Sequence, residues 1–279
     1  IYLIYDDGSI DPGFPYTTGD KIQAAPSVQE IDGEKVIFSG SNDNSFYAIK
    51  SDGSLLFSVT AGDKILSSPS VLEHNGQVSI FFGSNDDKIY AVDSGGNSLS
   101  GWPIDVNGNI GGSVVFSDLD GDGNAEVLAS TDMGEIVAFH LNGDAYPYFP
   151  IVNDVPFSGS PMTTDLDNDG DLEIVTGSGS NLFVIDIKES GSNSNYWSMF
   201  RGNKQRSGTY MPSDDDPECG ADLGDVTGDG NINILDLVQI ANYILNVSTP
   251  VYPCAADYTQ DGNVNILDLV QIANYILDN

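Results

Sequence analysis

Acidic residues alternate with other residues in two short stretches of the chain, DLDGDGNAE at 118–126 and DLDNDGDLE at 165–173. Each stretch offers acids at positions one, three, five and nine, a backbone carbonyl at position seven, and glycine at position six. Because a tight turn lets these oxygen donors converge on one ion, the spacing favours Ca²⁺ over Mg²⁺, which requires a rigid octahedron. The alternative is an acidic β-turn that holds no metal. The predicted ligands are Asp118, Asp120, Asp122, Asn124 and Glu126 in the first loop, and Asp165, Asp167, Asp169, Asp171 and Glu173 in the second.

Two further loops near the C-terminus have the twelve-position spacing of an EF-hand, with Asp in place of Glu at position twelve. Position three is Thr in both loops, and we expect its hydroxyl to ligate the ion directly or through water. With the two earlier loops, they predict about four calcium sites. The predicted ligands are Asp225, Thr227, Asp229, Asn231, Asn233 and Asp236 in the first loop, and Asp257, Thr259, Asp261, Asn263, Asn265 and Asp268 in the second.

Each of these C-terminal loops leads into the same thirteen letters, NILDLVQIANYIL, at 233–245 and again at 265–277. Apolar residues recur there at helical spacing, which predicts a short helix after each loop. The segments before the loops, PECGADLG and YPCAA, are turn-like and predict no preceding helix. The apolar residues at helical spacing in the first copy are Ile234, Leu237, Val238, Ala241 and Leu245.

A loop followed by a helix, duplicated over 219–279, resembles a dockerin, the module that attaches cargo to cohesin-bearing scaffolds. The resemblance implies two calcium ions, a cohesin-like protein partner, and contact with that partner through loop positions ten and eleven. Because the two copies are identical, a partner can be gripped through either. The alternative for the residue at position eleven of each loop is a place in the core. The implied contact residues are Ile234, Leu235, Ile266 and Leu267.

The chain contains two cysteines, Cys219 and Cys254. We predict a disulfide between them, because a small domain in an extracellular setting benefits from a covalent link. The alternatives are two free thiols or bridges to another chain.

The first two hundred residues are repetitive. GSNDNSFYAIKSDGSLLFSV from Gly40 aligns with GSNDDKIYAVDSGGNSLSGW from Gly83, and later units repeat at slightly longer offsets. Each unit has three or four short runs rich in Val, Ile, Phe and Tyr, with Gly, Asn and Asp between them. Tandem four-stranded units of this length predict a mostly β fold, a β-propeller, with a sandwich or a solenoid as the alternative. The predicted blades are 22–64, 65–109, 110–154 and 155–200.

The acidic loops resemble those of FG-GAP/VCBS-type propeller repeats, and the runs YAIKSDG and YAVDSGG resemble PQQ-like repeats. The segment IYLIYDDGSIDPGFPY at the start aligns with the second half of a repeat, so we expect a half blade at 1–20. Its missing strands would come from 195–210, from upstream sequence or from a neighbouring subunit. We place the boundary between a propeller at 1–212 and a dockerin at 213–279.

The chain is strongly acidic, with 42 Asp and Glu against 9 Lys and Arg and a formal net charge of −33. This charge disfavours nucleic acid and anionic membranes as partners. No apolar run approaches the roughly 20 residues of a membrane-spanning helix, so no membrane insertion is expected. Calcium-type loops and scarce Lys favour an extracellular or cell-surface location. His74 and His140 have no nucleophile in a recognisable setting, and we expect both to be solvated surface residues.

These observations predict a non-enzymatic, secreted, calcium-binding assembly or adhesion protein, attached through its dockerin to a cohesin or to neighbouring subunits, with an extracellular filament or surface structure among the outcomes. One alternative is the non-catalytic C-terminal part of a larger secreted hydrolase. Another is a carbohydrate-binding propeller, whose platform would be Trp102, Trp197 and Tyr148. Against that platform, aromatic residues before Pro at this blade position belong more often to the core.

Overall fold

The computed structural model describes residues 1–74, 76–157, 159–167, 169–193, 196–203, 206–209, 223–245, 247, 249–258 and 264–278. The chain divides into two compact units, Ile1–Met211 and Pro212–Asn279. Over the part of the chain so described, no helix is long and apolar enough to cross a membrane.

The N-terminal unit contains four antiparallel sheets, and the strands of each sheet pair in chain order. The first sheet contains β1 (Ser27–Ile31), β2 (Glu34–Gly40), β3 (Ser45–Lys50) and β4 (Leu55–Thr60). The second contains β5 (Ser70–His74), β6 (Gln77–Gly83), β7 (Lys88–Asp93) and β8 (Ile104–Asp105). The third contains β9 (Val115–Ser117), β10 (Glu126–Ser130), β11 (Glu135–His140) and β12 (Ile151–Val152). In the fourth, the described residues form three strands, β13 (Met162–Thr164), β14 (Asp171–Ser178) and β15 (Asn181–Ser190).

Four consecutive antiparallel meanders are the blades of a β-propeller, so the predicted fold class is confirmed. The first strands of neighbouring blades are tied by the same side-chain bond. The hydroxyl of Ser27 in β1 donates to the carbonyl of Pro69, and the hydroxyl of Ser70 in β5 donates to that of Val114 at 2.6 Å. The bond recurs because the repeat places Ser at the same point of the first two blades.

The turns between second and third strands show how the repeat specifies the hairpins. The Tyr47 hydroxyl donates to Asp43 at 2.8 Å, and the Tyr90 hydroxyl donates to Asp86 at 2.6 Å. Each aspartate also accepts a backbone N–H from the preceding inter-blade loop. The aspartate of each turn thus fixes both its own hairpin and the loop that enters the blade.

Aromatic side chains fill the space between the blades. The rings of Phe46 and Phe82 stack between the first two blades with centroids 4.2 Å apart. One cluster of buried apolar residues joins the first three blades and includes Trp197, and a second joins the third and fourth. Because the second and third blades pack against neighbours on both faces, their inner strands carry apolar residues on both sides.

Residues 1–16 form a hairpin that corresponds to the predicted half blade. The N-terminal amino group donates to the Tyr16 carbonyl at 2.8 Å, and the N–H of Tyr5 donates to the Ser9 carbonyl at 2.9 Å. The Tyr16 ring contacts Tyr47 of the first full blade with centroids 5.6 Å apart. The hairpin leaves large apolar side chains in solvent. They are Tyr2, Ile4, Tyr5 and Ile10.

The segment after β15, expected at 195–210 to complete the half blade, does not do so in the parts described, 196–203 and 206–209. Its carbonyls instead accept hydrogen bonds from the first strands of full blades: Trp197 from Phe116 at 2.9 Å, and Gly208 from Val28 at 2.7 Å. Of the three candidates for the missing strands, this segment is therefore not the one that its described residues support. We call residues 196–203 and 206–209 the tail.

In the C-terminal unit, α1 (Ile234–Ile244) and α2 (Ile266–Asp278) follow the two loops, and a 3₁₀ turn (Pro253–Ala256) precedes the second loop. Both predicted helices are present. Asn233 caps α1: its side chain accepts the N–H of Leu235 at 2.9 Å, and Asp236 accepts the N–H of Asn233 at 2.9 Å, which is a capping box.

The apolar residues at helical spacing in the first copy do not all lie on the buried side of α1. Ile234, Val238 and Leu245 are 63%, 52% and 70% exposed. The core is formed instead by Ile240 and Ile272, together with residues of the loops and of the 3₁₀ turn. Because α1 is apolar on more than one side, helical periodicity does not select the side that is buried. The fully buried apolar residues of this unit are Val226, Ile240, Ala255, Ala256 and Ile272.

Glycine is required where the turn of one blade meets the turn of the next. A Cβ on Gly101, whose φ is +87°, would lie 2.0 Å from the carbonyl oxygen of Asn142 in the third blade. A Cβ on Gly13 of the half blade would lie at the same distance from the carbonyl oxygen of Asp52. The half blade therefore packs on the first blade as the second blade packs on the third.

Gly101→Ala should destabilise the propeller by about 2–4 kcal/mol, because overlap with the next blade adds to the cost of a left-handed residue. The matched control is Gly33→Ala, where φ is +78° and nothing lies within 4 Å of the added Cβ. The control should lose only about 1 kcal/mol. Urea unfolding followed by intrinsic fluorescence measures both, and equal losses would contradict the packing of blade on blade.

Candidate calcium loops and docking face

The loop at 118–126 folds around a buried aspartate. Asp118 is 5% exposed, and its carboxylate accepts the backbone N–H groups of Gly121 at 2.7 Å, Asp122 at 3.1 Å and Gly123 at 2.9 Å. Both glycines have positive φ, which lets the backbone curl around the carboxylate. One carboxylate oxygen each from Asp118, Asp120 and Asp122 lies within 4.8 Å of the others. The structure thus brings together three of the predicted ligands.

The other two predicted ligands of this loop have protein partners. Asn124 donates its backbone N–H to Asp122 at 2.7 Å. Glu126 is fully buried, accepts the N–H of Leu119 at 2.8 Å, and lies 3.0 Å from Nδ1 of His140. Burial raises the pKa of Glu126 to about 7. His140, expected to be a solvated surface residue, is therefore the partner of a buried acid.

The loop at 165–173 gathers a larger acidic group. One carboxylate oxygen each from Asp167, Asp169, Asp171 and Glu173 lies within 4.8 Å of the others. The side-chain hydrogen bond with Asp169 raises the pKa of Asp171 to about 6. Asp171, expected to contribute its carbonyl, thus places its carboxylate in the group.

The first residue of this loop takes the wrapping role seen in the preceding blade. Asp165 accepts the backbone N–H of Gly170 at 3.2 Å, and Gly170 has a φ of +93°. Glu173 accepts the N–H of Leu166 at 2.6 Å. In both propeller loops, the glutamate at position nine therefore closes the loop on the N–H of the residue after its first aspartate.

The donor sets of these two loops fit calcium. All of the gathered atoms are carboxylate oxygens, the ligands that hard cations prefer over soft ones. Several carboxylates within 4.8 Å repel one another unless a cation lies among them. The carboxylate donors of these two loops and their mutual repulsion both favour a bound hard cation.

The first C-terminal loop folds in the same way as the loop at 118–126. Asp225 is 2% exposed and accepts the N–H groups of Gly228 at 2.8 Å, Asp229 at 3.2 Å and Gly230 at 2.8 Å. Burial raises the pKa of Asp225, but these hydrogen bonds and one from Thr227 outweigh it and hold the pKa below its usual value.

Asp236 joins this loop to α1. It is fully buried, and its carboxylate accepts the N–H groups of Thr227 at 3.0 Å and Asn233 at 2.9 Å. The Thr227 hydroxyl lies 3.1 Å from a carboxylate oxygen of Asp225 and 2.9 Å from one of Asp236. Thr at position three thus bridges the first and last predicted ligands. Asn231 donates its backbone N–H to Asp229 at 2.9 Å.

The second C-terminal loop repeats the junction with its helix. Asp268 is fully buried and accepts the N–H of Asn265 at 2.8 Å, and Asn265 accepts the N–H of Leu267 at 2.9 Å. Asp257 lies at the start of this loop. The remaining predicted ligands, Thr259, Asp261 and Asn263, lie outside the described residues.

The predicted partner-binding residues form an exposed apolar face at the start of each helix. Ile234 and Leu235 are 63% and 59% exposed, and Ile266 and Leu267 are 64% and 57% exposed. Neither leucine lies in the core, so the alternative of a core role is not what the structure shows. Next to them, Val238 and Val270 extend the two faces by one helical turn. We call each set, Ile234–Leu235–Val238 and Ile266–Leu267–Val270, a docking face.

Residues 223–277 match the family model of the dockerin type I domain, and residues 118–176 match that of the FG-GAP-like repeat. The chain carries a dockerin type I domain. The resemblances to dockerins and to FG-GAP-type repeats are thereby confirmed over these residues. The FG-GAP-like match begins at Asp118 and spans both acidic loops of the propeller. Dockerin and FG-GAP-like domains are non-catalytic, and dockerin domains bind cohesin modules.

No curated protein matches the chain. Among solved structures, the chain is similar to BBS1N in its complex with ARL6DN (14% identity, 66% of this chain and 57% of that chain, TM-score 0.45) and to BamB from Moraxella catarrhalis (18%, 66% and 54%, 0.45). It is also similar to the computationally designed Ika4 protein (14%, 62% and 98%, 0.40). The chain spans a little over half the length of the first two. Likenesses of this strength carry no argument about function.

Two of the three aromatic residues predicted for a carbohydrate platform are buried. Trp102 and Trp197 are 6% and 1% exposed, and the Trp102 indole donates to the carbonyl of Leu141 at 2.9 Å. Tyr148 is 95% exposed and has a φ of +67°. The predicted three-residue platform is therefore wrong, because the turn that carries Trp102 packs into the neighbouring blade.

The predicted disulfide falls outside what the structure describes, since Cys219 and the side chain of Cys254 lie outside the described residues. It stays a prediction.

Chelation of calcium by EGTA should unfold the dockerin domain and leave most of the sheet signal intact. The small core of the domain needs the ions, and calcium at a thousandfold over Kd stabilises a site by about 4 kcal/mol. Far-UV circular dichroism of the full chain measures both signals, and the sheet signal serves as the internal control. A helical signal that survives chelation would contradict the EF-hand assignment of the loops.

Proposed function

We propose that this protein is a non-enzymatic, secreted assembly protein in which the dockerin domain, 213–279, attaches a calcium-braced propeller, 1–212, to a cohesin-type partner outside the cell. The duplicated docking face carries this proposal. Each face exposes two large aliphatic side chains directly beside a buried carboxylate, Asp236 or Asp268, of the adjoining loop. A calcium-binding loop therefore sets the position of each exposed apolar contact.

The exposure of these side chains supports a role in an interface, because buried side chains are the ones that folding requires. The core of the domain is filled by other residues, and folding gains nothing from leaving Leu235 or Leu267 in water. Burying one such side chain against a partner contributes about 1.5–3 kcal/mol. Two or three of them, with a polar rim, supply the affinity of a specific protein complex.

We assign about four calcium sites to the protein, two in the propeller and two in the dockerin domain. The ligands are those predicted from the loop spacings. In the dockerin domain the ion would fix Asp225 and Asp236 relative to each other, and with them the start of α1. Extracellular calcium supports such loops, since extracellular modules bind it with Kd on the order of 10⁻⁴–10⁻³ M.

Binding to a purified cohesin module should tolerate a change in one docking face and fail when both are changed. Leu235→Asp or Leu267→Asp alone should weaken binding by only about twofold, because the second face remains available. The two together should weaken it by about 100-fold, since the partner would have to bury a carboxylate. Isothermal titration calorimetry of the full chain in calcium measures all three variants.

Leu182→Asp is the matched control, because Leu182 is a 72% exposed leucine of the propeller. It should bind as the unchanged chain does. Helical circular dichroism in calcium verifies that each variant folds. Wild-type affinity in the double variant would show that the cohesin contact lies elsewhere.

A second candidate is self-assembly through the half blade. Tyr2 and Ile4 are 62% and 59% exposed on a hairpin that lacks half of its sheet, and an isolated hairpin is marginally stable in water. The described part of the tail does not cover them. Upstream sequence and a neighbouring subunit are the other two candidates for the missing strands. This second proposal assigns them to a neighbouring subunit, and a head-to-tail contact of this kind propagates into rings or filaments.

Size-exclusion chromatography with light scattering, in calcium, should show association that Tyr2→Ser with Ile4→Ser abolishes. The matched control is Leu55→Ser with Leu56→Ser, which changes two exposed apolar residues of β4. The control should associate as the unchanged chain does. A sharp monomer peak of the unchanged chain at high concentration would eliminate self-assembly and leave the cohesin proposal standing.

A further inference from the structure

The segment 190–193, which starts at the last residue of β15, lies against both acidic loops of the propeller. Asp118 and Ser192 exchange backbone hydrogen bonds, from Asp118 N to Ser192 O at 2.9 Å and from Ser192 N to Asp118 O at 2.7 Å. The N–H of Gly191 donates to the carbonyl of Gly170, in the second loop, at 3.4 Å. One short segment therefore joins the two loops, and we call it the junction.

The junction is packed without space for a side chain. A Cβ on Gly191 would lie 2.7 Å from the carbonyl oxygen of Asp118 and 3.2 Å from Cδ1 of Leu172. A Cβ on Gly121 would lie 2.7 Å from the carbonyl oxygen of Ser190. A shift in either loop must therefore displace the junction.

The junction leads into the tail, and the tail begins on the first acidic loop. The Tyr196 hydroxyl donates to the carbonyl of Gly123 at 3.3 Å. The next residue, Trp197, is 1% exposed within the core cluster of the first three blades, and its carbonyl accepts the N–H of Phe116. The insertion of this indole thus starts from a hydrogen bond to the loop.

The far end of the tail rests on the first blade. Arg201 donates to the carbonyl of Pro26 at 3.0 Å and to that of Ser207 at 2.9 Å. The carbonyl of Gly208 accepts the N–H of Val28 in β1. The tail therefore links the acidic loops of the last two blades to the first strand of the first full blade.

The two loops carry a large excess of negative charge. The first has four carboxylates and the second has five. Among the described residues, His140 faces Glu126 at 3.0 Å and Lys188 lies 4.0 Å from Asp171. Two basic side chains do not balance these carboxylates, so the repulsion that remains favours spreading of the loops when no cation is bound.

We infer that calcium in the loops at 118–126 and 165–173 controls the docking of the tail. With the ions bound, the loops keep their closed shape, hold the junction between them, and keep Trp197 in the core. Without the ions, the loops spread, the junction loses its hydrogen bonds, and the tail leaves the first strands. The inference rests on the proposed calcium sites of the propeller and adds that they act together on one element.

Hydrogen exchange of the full chain, with calcium at a hundredfold over Kd and then with EGTA, tests this coupling. The reporters are the amides of Val28 and Phe116, which donate to the tail. At this calcium concentration, an opening of the tail that releases one ion is about 100-fold less populated than it is without calcium. The exchange of the two reporter amides should therefore accelerate by about that factor on chelation. The control amides, in β6 of the second blade, should not change, because that blade has no acidic loop.

Gly191→Ala tests the junction without replacing a predicted ligand. It should release the tail even in calcium, and by linkage it should weaken calcium binding to the two loops by the same factor. The matched control is Gly177→Ala in β14, where nothing lies within 4 Å of the added Cβ. The control should leave the exchange of both reporter amides as in the unchanged chain.

Native mass spectrometry of the bound ions separates the two ways of failing. If the propeller loops bind no calcium, the proposed sites are wrong and the coupling falls with them. If they bind calcium and the reporter amides exchange equally fast with and without it, the sites stand and the coupling alone is wrong. Loss of protection in β6 together with the reporters would also overturn it, because the effect would then be general unfolding.

Discussion

An aspartate wrapped by backbone N–H groups is the interaction on which the acidic loops of both units depend. Asp118 accepts N–H groups from residues three, four and five positions later, and Asp225 accepts the same three. Asp165 accepts the N–H of Gly170, which is five positions later. Each wrap requires glycines at positive φ, because a Cβ disfavours that conformation. A β-propeller and a helical domain thus share one loop design because the same short-range geometry gathers oxygen atoms in both.

The last acid of each loop then decides what the loop positions. In the propeller, Glu126 and Glu173 each begin or join the second strand of a blade, so the loops at 118–126 and 165–173 are anchored to the sheet. In the dockerin domain, Asp236 completes the capping box of α1, so the loop is anchored to a helix end. On the proposed assignment, an ion in the first setting would brace neighbouring blades, and an ion in the second would orient a docking face. The same ligand chemistry would then support stability in one unit and recognition in the other.

Local spacing made the loops and the two helices predictable from the sequence, and the tandem repeat of similar units made the blades predictable. The path of the tail was not predictable in that way. Arg201 bonds to Pro26, 175 positions earlier, and Trp197 enters a core built by three other blades. The role of His140 was missed for a different reason: its partner Glu126 is only 14 positions away, but the two residues meet across the paired strands β10 and β11. The repeat alignment predicts that the runs containing Glu126 and His140 are neighbouring strands, and their pairing was the signal for this contact.

The helices show why periodicity alone does not select the buried face. In α1 and its C-cap, the side chains of Ile234, Val238 and Leu245 and those of Leu237, Ile240 and Ile244 recur at helical spacing on different sides. The second set is covered by residues of the loops and of the 3₁₀ turn, such as Val226 and Tyr252. Position on the helix relative to Asp236 and Asp268 separates the two sides, because the buried carboxylates must face the loops. A helix whose apolar residues outnumber those it can bury therefore leaves its surplus in solvent, and here that surplus is duplicated.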